Sequence, residues 1–230
     1  MEWIDTKWND FRVLQVDTWN NEGVLHGFIG EDINLQDGGE DFFKDRTGLE
    51  VKRLKQVHGN KLKFSPYSEQ DDLEADAWLA DICSARPVEV LGISTADCVP
   101  VILKDSDRVS IIHAGWKSAA QNIVKLCLEH FEPAQTEVAI GPHAMSCCYE
   151  FGPELIDEFG ANSKKFFIEK NGKLYLSLQD FIAEQLIDGG VEKNNILSSK
   201  WCTICSPGFH SFRRDKQNSG RQLSFISPCK

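Results

Sequence analysis

Cys98 and His113 are side chains of metal-ligating type, and each lies at one end of a short apolar run in this 230-residue chain. Cys98 precedes VPVIL, His113 ends VSIIH, and the polar, turn-forming residues 104–108 separate the two runs. Such a short connection predicts a β-hairpin. A turn centred between Asp105 and Ser106 would place Cys98 opposite His113, with Cα atoms about 4.5–5.5 Å apart. That spacing is close enough for the two side chains to bind one metal ion or to form a Cys–His nucleophile pair.

A purely structural interpretation of this pair stays open. A cysteine before an apolar run is usually a small core residue, and a histidine at a strand end is usually held by structural hydrogen bonds. A one-residue slip of the hairpin would send the two side chains to opposite faces of the sheet. The small residues Ala114 and Gly115 favour a close approach of the backbone to a site.

Three arginines, Arg213, Arg214 and Arg221, fall within nine residues of one predicted loop. Guanidinium groups bind phosphate through paired hydrogen bonds, so these residues are candidates for substrate or phosphate binding. The alternative is a solvated loop whose arginines pair with the abundant acidic residues.

The eight cysteines show no repeating spacing. Cys202 and Cys205 have the spacing of half a zinc knuckle, but no second half follows at the usual interval. The neighbours Cys147 and Cys148 are too close for an ordinary unstrained disulfide. We therefore expect thiols or metal ligands rather than a disulfide framework.

The elements that must position these residues are short strands and two helices. Strands are predicted at residues 54–57, 75–79, 90–94, 99–103, 109–113 and 137–140, and helices at 117–131 and 178–189. Because the strands come in runs, we expect an α+β fold with mixed β-sheets and helices packed on the outside.

Length and charge narrow the class of protein. A chain of this length fits a single domain, residues 1–230. The net charge of −10 and the lack of basic stretches argue against a nucleic-acid or anionic membrane partner. The chain begins without a secretory signal and has no long apolar run, so we expect a cytoplasmic protein. Its oligomeric state is left open.

Six ordered motifs resemble those of the YfiH/laccase-domain family, also called polyphenol oxidase or YfiH-like purine nucleoside phosphorylase. They are KQVHGN, ADAWLAD, TADCVPVIL, IIHAGW, AIGPHAMSCCYEFG and SFRRD…SGR, and the resemblance covers about residues 24–227. It implies a layered YfiH-like architecture and a metal site formed by His58, Cys98 and His113, with zinc as the cofactor and copper as the other possibility. Three protein ligands leave a coordination position open, as in catalytic zinc sites.

The resemblance implies a purine nucleoside phosphorylase acting on adenosine, inosine, guanosine and methylthioadenosine, with adenosine deaminase activity beside it. Nucleoside and phosphate would then be its partners. One alternative is a copper polyphenol oxidase, although the chain has six histidines and no His-x-His pair of the multicopper type. A second is a metal-free hydrolase or deamidase with Cys98 as nucleophile and His113 as base. A third is a non-enzymatic partner protein.

The chain departs from the family near its N-terminus. Relatives usually carry a Phe-Ser/Thr-x-Arg-x-Gly-Gly stretch, whereas here His26-Gly27-Phe28-Ile29-Gly30 runs into Glu31-Asp32 without that arginine. If the arginine binds phosphate or substrate in relatives, the substrate range differs here.

Overall fold

Two mixed β-sheets form the centre of the molecule. The computed structural model describes residues 1–66, 72–82, 89–160 and 162–229, so Cys83 lies outside the described residues. The strands there are β1 (Trp3–Trp8), β2 (Phe11–Val16), β3 (His26–Ile29), β4 (Val51–Arg53), β5 (Leu62–Ser65), β6 (Ala77–Asp81), β7 (Val90–Thr95), β8 (Val99–Lys104), β9 (Arg108–Ala114), β10 (Glu137–Ile140), β11 (Phe167–Lys170), β12 (Lys173–Leu176), β13 (Ile196–Ser198) and β14 (Gln222–Ile226). The first sheet has the order β1-β2-β3-β14-β7-β4 and the second β13-β10-β8-β9-β6-β5, while β11 and β12 pair separately.

Six helices accompany the two sheets among the described residues. They are α1 (Asp17–Asn21), α2 (Gly39–Thr47), α3 (Trp116–Ala120), α4 (Ile123–Leu128), α5 (Leu178–Asp188) and α6 (Phe212–Asp215), with short 3₁₀ turns between them. Phe43 of α2 packs on the outside of the first sheet, and Ile123 and Ile182, from α4 and α5, pack on the outside of the second. The α+β fold predicted from the sequence is confirmed.

Burial on both faces explains the continuous apolar runs in β8 and β9. Val101 and Ile112 face the helical layer, whereas Ile102 and Ile111 face the first sheet. Successive side chains of a strand point to opposite faces, so a strand covered on both sides needs apolar residues at every position. His113 follows the alternation of Ile111 and therefore lies on the side of the first sheet.

The β8–β9 hairpin forms with a register two residues away from the predicted one. Pro100, not Cys98, lies opposite His113. The cause is Asp105, whose side chain accepts the N–H groups of Asp107 (2.8 Å) and Arg108 (2.7 Å) and so fixes the turn one residue later. The predicted pairing is wrong, but a shift of two residues keeps Cys98 and His113 on one face.

The helix predicted at 117–131 is divided into α3 and α4 at Asn122. Asn122 has φ of 62°, in the left-handed region that asparagine tolerates better than most residues. Gln185 of α5 stabilises the break, because its Nε2 group donates to the carbonyl of Ala119 and the side-chain oxygen of Asn122, both at 3.1 Å. The helix predicted at 178–189 agrees with α5 to within one residue.

Among the described residues, no helix has the length and apolarity required to cross a bilayer.

Candidate metal centre

His58, Cys98 and His113 come from three separate segments and converge at one end of the sheet pair. Their possible ligand atoms all lie within 4.8 Å of one another. Cys98 Sγ lies 3.9 Å from His58 Nε2, and the two imidazole rings have centroids 4.8 Å apart. His58 is exposed, Cys98 is half-buried and His113 is buried. The three side chains therefore form a shallow group open to solvent on one side.

Asp76 orients two of these side chains from a fully buried position. Its Oδ1 atom lies 2.8 Å from His113 Nδ1, so the imidazole donates there and Nε2 is the ring nitrogen left for a metal ion. The carboxylate also accepts backbone N–H groups from His58 (3.0 Å) and Gly59 (2.7 Å). A carboxylate behind a ligating histidine fixes both the tautomer and the direction of the ring.

The turn that carries His58 replaces the strand predicted at 54–57. The observed strand β4 ends earlier, at Arg53, and the chain then bends around Asp76. His58 itself has φ of 58°, an uncommon conformation for a residue with a side chain. Hydrogen bonds to Asp76 hold this backbone in place, which is a common arrangement at functional sites.

The charges of Cys98 and His113 are strongly linked. Burial opposes the thiolate, but the positive charge of His113 and hydrogen bonds from both histidines outweigh it and lower the pKa of Cys98 to about 6. Burial likewise opposes the imidazolium, yet the Cys98 thiolate and Asp76 raise the pKa of His113 to about 9. Without a cation, the pair is a thiolate and an imidazolium near neutral pH.

The donor set fits a transition-metal ion. One thiolate and two imidazoles are typical ligands of zinc and also suit copper. Asp76 occupies Nδ1 of His113 and leaves Nε2 on the side of Cys98 and His58, so these three residues would hold the ion. Three ligands leave one position for a substrate atom or water.

A pocket of about 490 Å³ lies over these residues, within the range of small-molecule sites. Its lining residues are Gln56, His58, Ser94, Thr95, Ala96, Asp97, Cys98, His113, Trp116, Tyr149, Phe212, Arg213 and Arg221. The pocket thus combines the three possible metal ligands with two arginines and the rings of Trp116, Tyr149 and Phe212.

Of the three candidate arginines, Arg213 and Arg221 line this pocket and Arg214 does not. Arg213 stacks on Tyr149, with 4.7 Å from its guanidinium carbon to the ring centroid. The guanidinium of Arg214 instead donates to the carbonyls of Thr203, Ile204 and Phe209 and to Asp215, which places it in the framework of the loop.

Asp76 and Tyr149 received no role from the sequence alone. The available signal for Asp76 was an acidic residue inside the otherwise apolar segment predicted at 75–79, where a buried charge requires a partner. Asp97 is also buried, and it accepts the Thr203 hydroxyl (2.7 Å) and the Arg213 backbone N–H (2.6 Å). Asp97 therefore connects the Cys98 segment to the arginine loop.

Comparison with known proteins identifies the family and the fold of this chain. The profile of the family described as multi-copper polyphenol oxidoreductase laccase matches residues 40–228. A purine nucleoside phosphorylase of Clostridium acetobutylicum is 34% identical over 209 residues, which span 84% of this chain and 85% of the relative. An adenosine deaminase from an unknown prokaryotic organism is 32% identical over 154 residues, 60% of this chain and 57% of the relative.

The crystal structure of YfiH from Bacillus licheniformis superposes with a TM-score of 0.79 and 26% identity, covering 97% of this chain and all of that one. The molecule thus has the α+β fold of the YfiH proteins. The chain belongs to the multi-copper polyphenol oxidoreductase laccase family, and the family membership predicted from its motifs is confirmed.

Proposed function

We propose that this protein is a zinc-dependent purine nucleoside phosphorylase, with adenosine deamination as a second reaction of the same site. The observation that carries the proposal is the convergence of His58, Cys98 and His113 within 4.8 Å at the pocket that also contains Arg213 and Arg221. Relatives named purine nucleoside phosphorylase and adenosine deaminase support the same substrate class.

Phosphorolysis requires an anion site beside the sugar, and the two pocket arginines supply suitable groups. Arg213 donates from Nη1 to the carbonyl of Glu150 (2.8 Å), and Arg221 from Nη1 to those of Ser219 and Gly220. Each guanidinium has five N–H donors in a planar fork. In the part of the chain that the structure describes, Arg221 donates its side-chain hydrogen bonds from Nη1 alone, which leaves its Nε and Nη2 groups for phosphate oxygens. Arg213 also bonds to the Tyr149 side chain, and its five donors exceed these two partners.

The aromatic residues of the pocket suit the base. Trp116, Tyr149 and Phe212 offer apolar surface against which a purine packs, while Gln56 and Ser94 are polar groups at the same wall. In the reaction, a phosphate oxygen bonds to C1′ of the ribose as the C1′–N9 bond breaks. The electron pair of that bond leaves with the base, which takes up a proton.

His58, Cys98 and His113 would hold the zinc ion, and Asp76 would keep His113 in the ligating tautomer. When bound, the ion supplies a Lewis acid that polarises a substrate atom. Arg213 and Arg221 bind and orient phosphate, which lowers the entropic cost of bringing two substrates together. The aromatic wall excludes water from one side of the sugar.

A metal-free reaction is the second candidate, and the linked charges of Cys98 and His113 favour it. A thiolate beside an imidazolium, with Asp76 behind the imidazole, is the arrangement of a Cys–His nucleophile pair with an orienting carboxylate. Such a pair would act as a hydrolase or deamidase and would need no ion.

The test combines metal analysis with product analysis. Purified protein is assayed by elemental analysis and incubated with inosine or adenosine, with and without phosphate. We expect zinc in the protein and phosphate-dependent release of free base with ribose 1-phosphate; ammonia release from adenosine without phosphate reports deamination. Cys98→Ala is expected to lose the zinc ion of this site and turnover, whereas Cys229→Ala, at a buried cysteine outside this group, keeps both.

Three results contradict the proposal. Full nucleoside turnover in Cys98→Ala removes the site from the chemistry. Full activity after complete chelation, together with inactivation by a thiol-alkylating reagent, supports the metal-free pair. Copper content with oxygen consumption on phenols, and no nucleoside turnover, supports the polyphenol oxidase alternative.

A further inference from the structure

A second group of possible metal ligands lies outside the pocket described above. Cys147, Cys148, Cys202 and Cys205 present four sulfur atoms that all lie within 4.8 Å of one another. The first two come from the loop after β10, and the last two from the loop after β13. None of these four residues belongs to the His58, Cys98 and His113 group. The half zinc knuckle noted in the sequence therefore has its second half in the vicinal pair, more than fifty residues earlier in the chain.

The sulfur spacing matches a single tetrahedral ion. A zinc–sulfur bond of about 2.3 Å gives a distance of about 3.8 Å between neighbouring sulfurs of a regular tetrahedron. Cys147 Sγ and Cys205 Sγ are 3.8 Å apart. A disulfide requires about 2.05 Å, and all four cysteines are free thiols in the structure. An iron–sulfur cluster would separate its cysteine sulfurs further, because the irons and sulfides of the cluster lie between them.

Hydrogen bonds around Cys202 suit a bound thiolate. The backbone N–H of Met145 donates to Cys202 Sγ at 3.5 Å, and the N–H groups of Ile204 and Cys205 also reach that sulfur. Cys202 is buried, whereas Cys147 and Cys205 are exposed. The group therefore has an anchored inner ligand and an open path by which an ion enters.

The two loops that carry these cysteines also hold residues that position Arg213 in the pocket. Thr203, between Cys202 and Cys205, donates its backbone N–H to the carbonyl of His143 (2.9 Å) and its hydroxyl to Asp97. Tyr149, next to Cys148, stacks under Arg213. An ion bound by all four cysteines would join the loops that position Arg213 from both sides.

We propose that Cys147, Cys148, Cys202 and Cys205 form a structural zinc site. The ion would hold the loop of Tyr149 to the loop that leads into α6, the helix of Arg213. Four protein ligands close the coordination sphere, so this ion would take no part in chemistry. The proposal does not depend on what the His58, Cys98 and His113 group does.

The experiment measures zinc per chain in the unmodified protein and in three variants. We expect two zinc ions in the unmodified protein and one in each of Cys98→Ala and Cys205→Ser. Cys205→His is expected to restore the second ion, because a Cys₃His set is also a structural zinc site and residue 205 is exposed. If the His58, Cys98 and His113 group binds no zinc, Cys205→Ser still loses one zinc ion relative to the unmodified protein. The two proposals can therefore fail independently, and the zinc contents show which one has failed.

Cobalt replacement gives a second readout that leaves all four cysteines of the proposed site in place. In Cys98→Ala loaded with Co²⁺, we expect thiolate-to-cobalt charge-transfer bands and the intense d–d absorption of a tetrahedral site. Hydrogen exchange should rise in Cys205→Ser at residues 145–149 and 200–206, while β8 and β9 stay protected.

Any of three results overturns the proposal. The first is a zinc content that is the same in Cys205→Ser and in the unmodified protein. The second is the absence of a cobalt–thiolate spectrum in Cys98→Ala. The third is a loss of titratable thiols with a mass change that identifies a disulfide among the four cysteines.

Discussion

The Nδ1 atom of His113 lies 2.8 Å from Oδ1 of Asp76, and both side chains are buried. The same carboxylate accepts backbone N–H groups from the turn that carries His58. One buried charge thus fixes the ring of one proposed ligand and the backbone of another. Burial disfavours the carboxylate, but His113 and these N–H groups outweigh it and hold the pKa of Asp76 below its usual value.

Asp76→Asn is therefore expected to weaken zinc binding at the first site by about 10- to 100-fold, the usual effect of losing a residue that orients a metal ligand. The measurement is zinc affinity by chelator competition. Asp105→Asn serves as the matched control, because Asp105 is also buried and accepts backbone N–H groups but lies in the β8–β9 turn. Equal losses of affinity in both variants would contradict the orienting role.

Gly115 lies against the same site, which predicts a selective effect of one added methyl group. A Cβ atom there would lie 3.0 Å from His58 Cδ2 and 3.3 Å from Cys98 Sγ, both tighter than ordinary contacts. The backbone, with φ of −65°, accepts alanine without strain. Gly115→Ala should therefore reduce zinc affinity while the free energy of unfolding of the metal-free protein stays equal or rises by about 0.4–1 kcal/mol. Unchanged affinity would show that His58 adjusts freely.

Local patterns predicted the part of the fold that surrounds the site. The segments of β7 to β10 and α5 are apolar runs bounded by turn residues, so their existence follows from short stretches of sequence. The position of the hairpin turn did not follow, because it depends on which aspartate caps the backbone. Asp105 and Asp107 are the same residue type in the same turn, and only the three-dimensional structure shows that Asp105 is the one that accepts the backbone N–H groups.

The contacts that sequence reasoning missed join residues distant in the chain. β1, β2 and β3 were not predicted, and β3 pairs with β14, nearly two hundred residues later. The partners of Cys202 and Cys205 were likewise missed, because Cys147 and Cys148 lie outside the interval of a local zinc motif. Spacing rules apply to ligands on one turn or hairpin, and they do not predict ligands from two loops that the sheet brings together.

We expect the free energy of unfolding to fall in mild acid because of the buried residue His26. It is fully buried, Nδ1 donates to the carbonyl of Val24, and Nε2 accepts the N–H of Val16, both at 2.8 Å, so the folded state holds a neutral ring. Burial lowers the pKa of His26 to about 4 from its ordinary 6.5. The unfolded chain therefore takes up the proton first, and stability present above pH 6.5 is lost as pH falls towards 4, by about 3 kcal/mol.

Urea unfolding of the metal-free protein between pH 7 and pH 4.5 measures this effect. In His26→Gln the free energy of unfolding should fall less steeply with acidification, by up to about 1.4 kcal/mol per pH unit. His143 is also buried, with its pKa lowered to about 4, but it is present in both proteins and cancels in the comparison. Identical slopes for the two proteins would contradict the assignment.

Arg213 and Arg214 are neighbours in sequence with opposite expected effects. Arg213 lines the pocket, so Arg213→Ala should raise the KM for phosphate by about 10- to 100-fold, the value of a charge-assisted hydrogen bond or two. Arg214 donates to three backbone carbonyls of its loop, so Arg214→Ala should lower the free energy of unfolding by about 1–3 kcal/mol. Its KM for phosphate should change less than that of Arg213→Ala. Phosphate-dependent kinetics and urea unfolding of both variants distinguish the roles, and the reverse pattern would assign the anion site to Arg214.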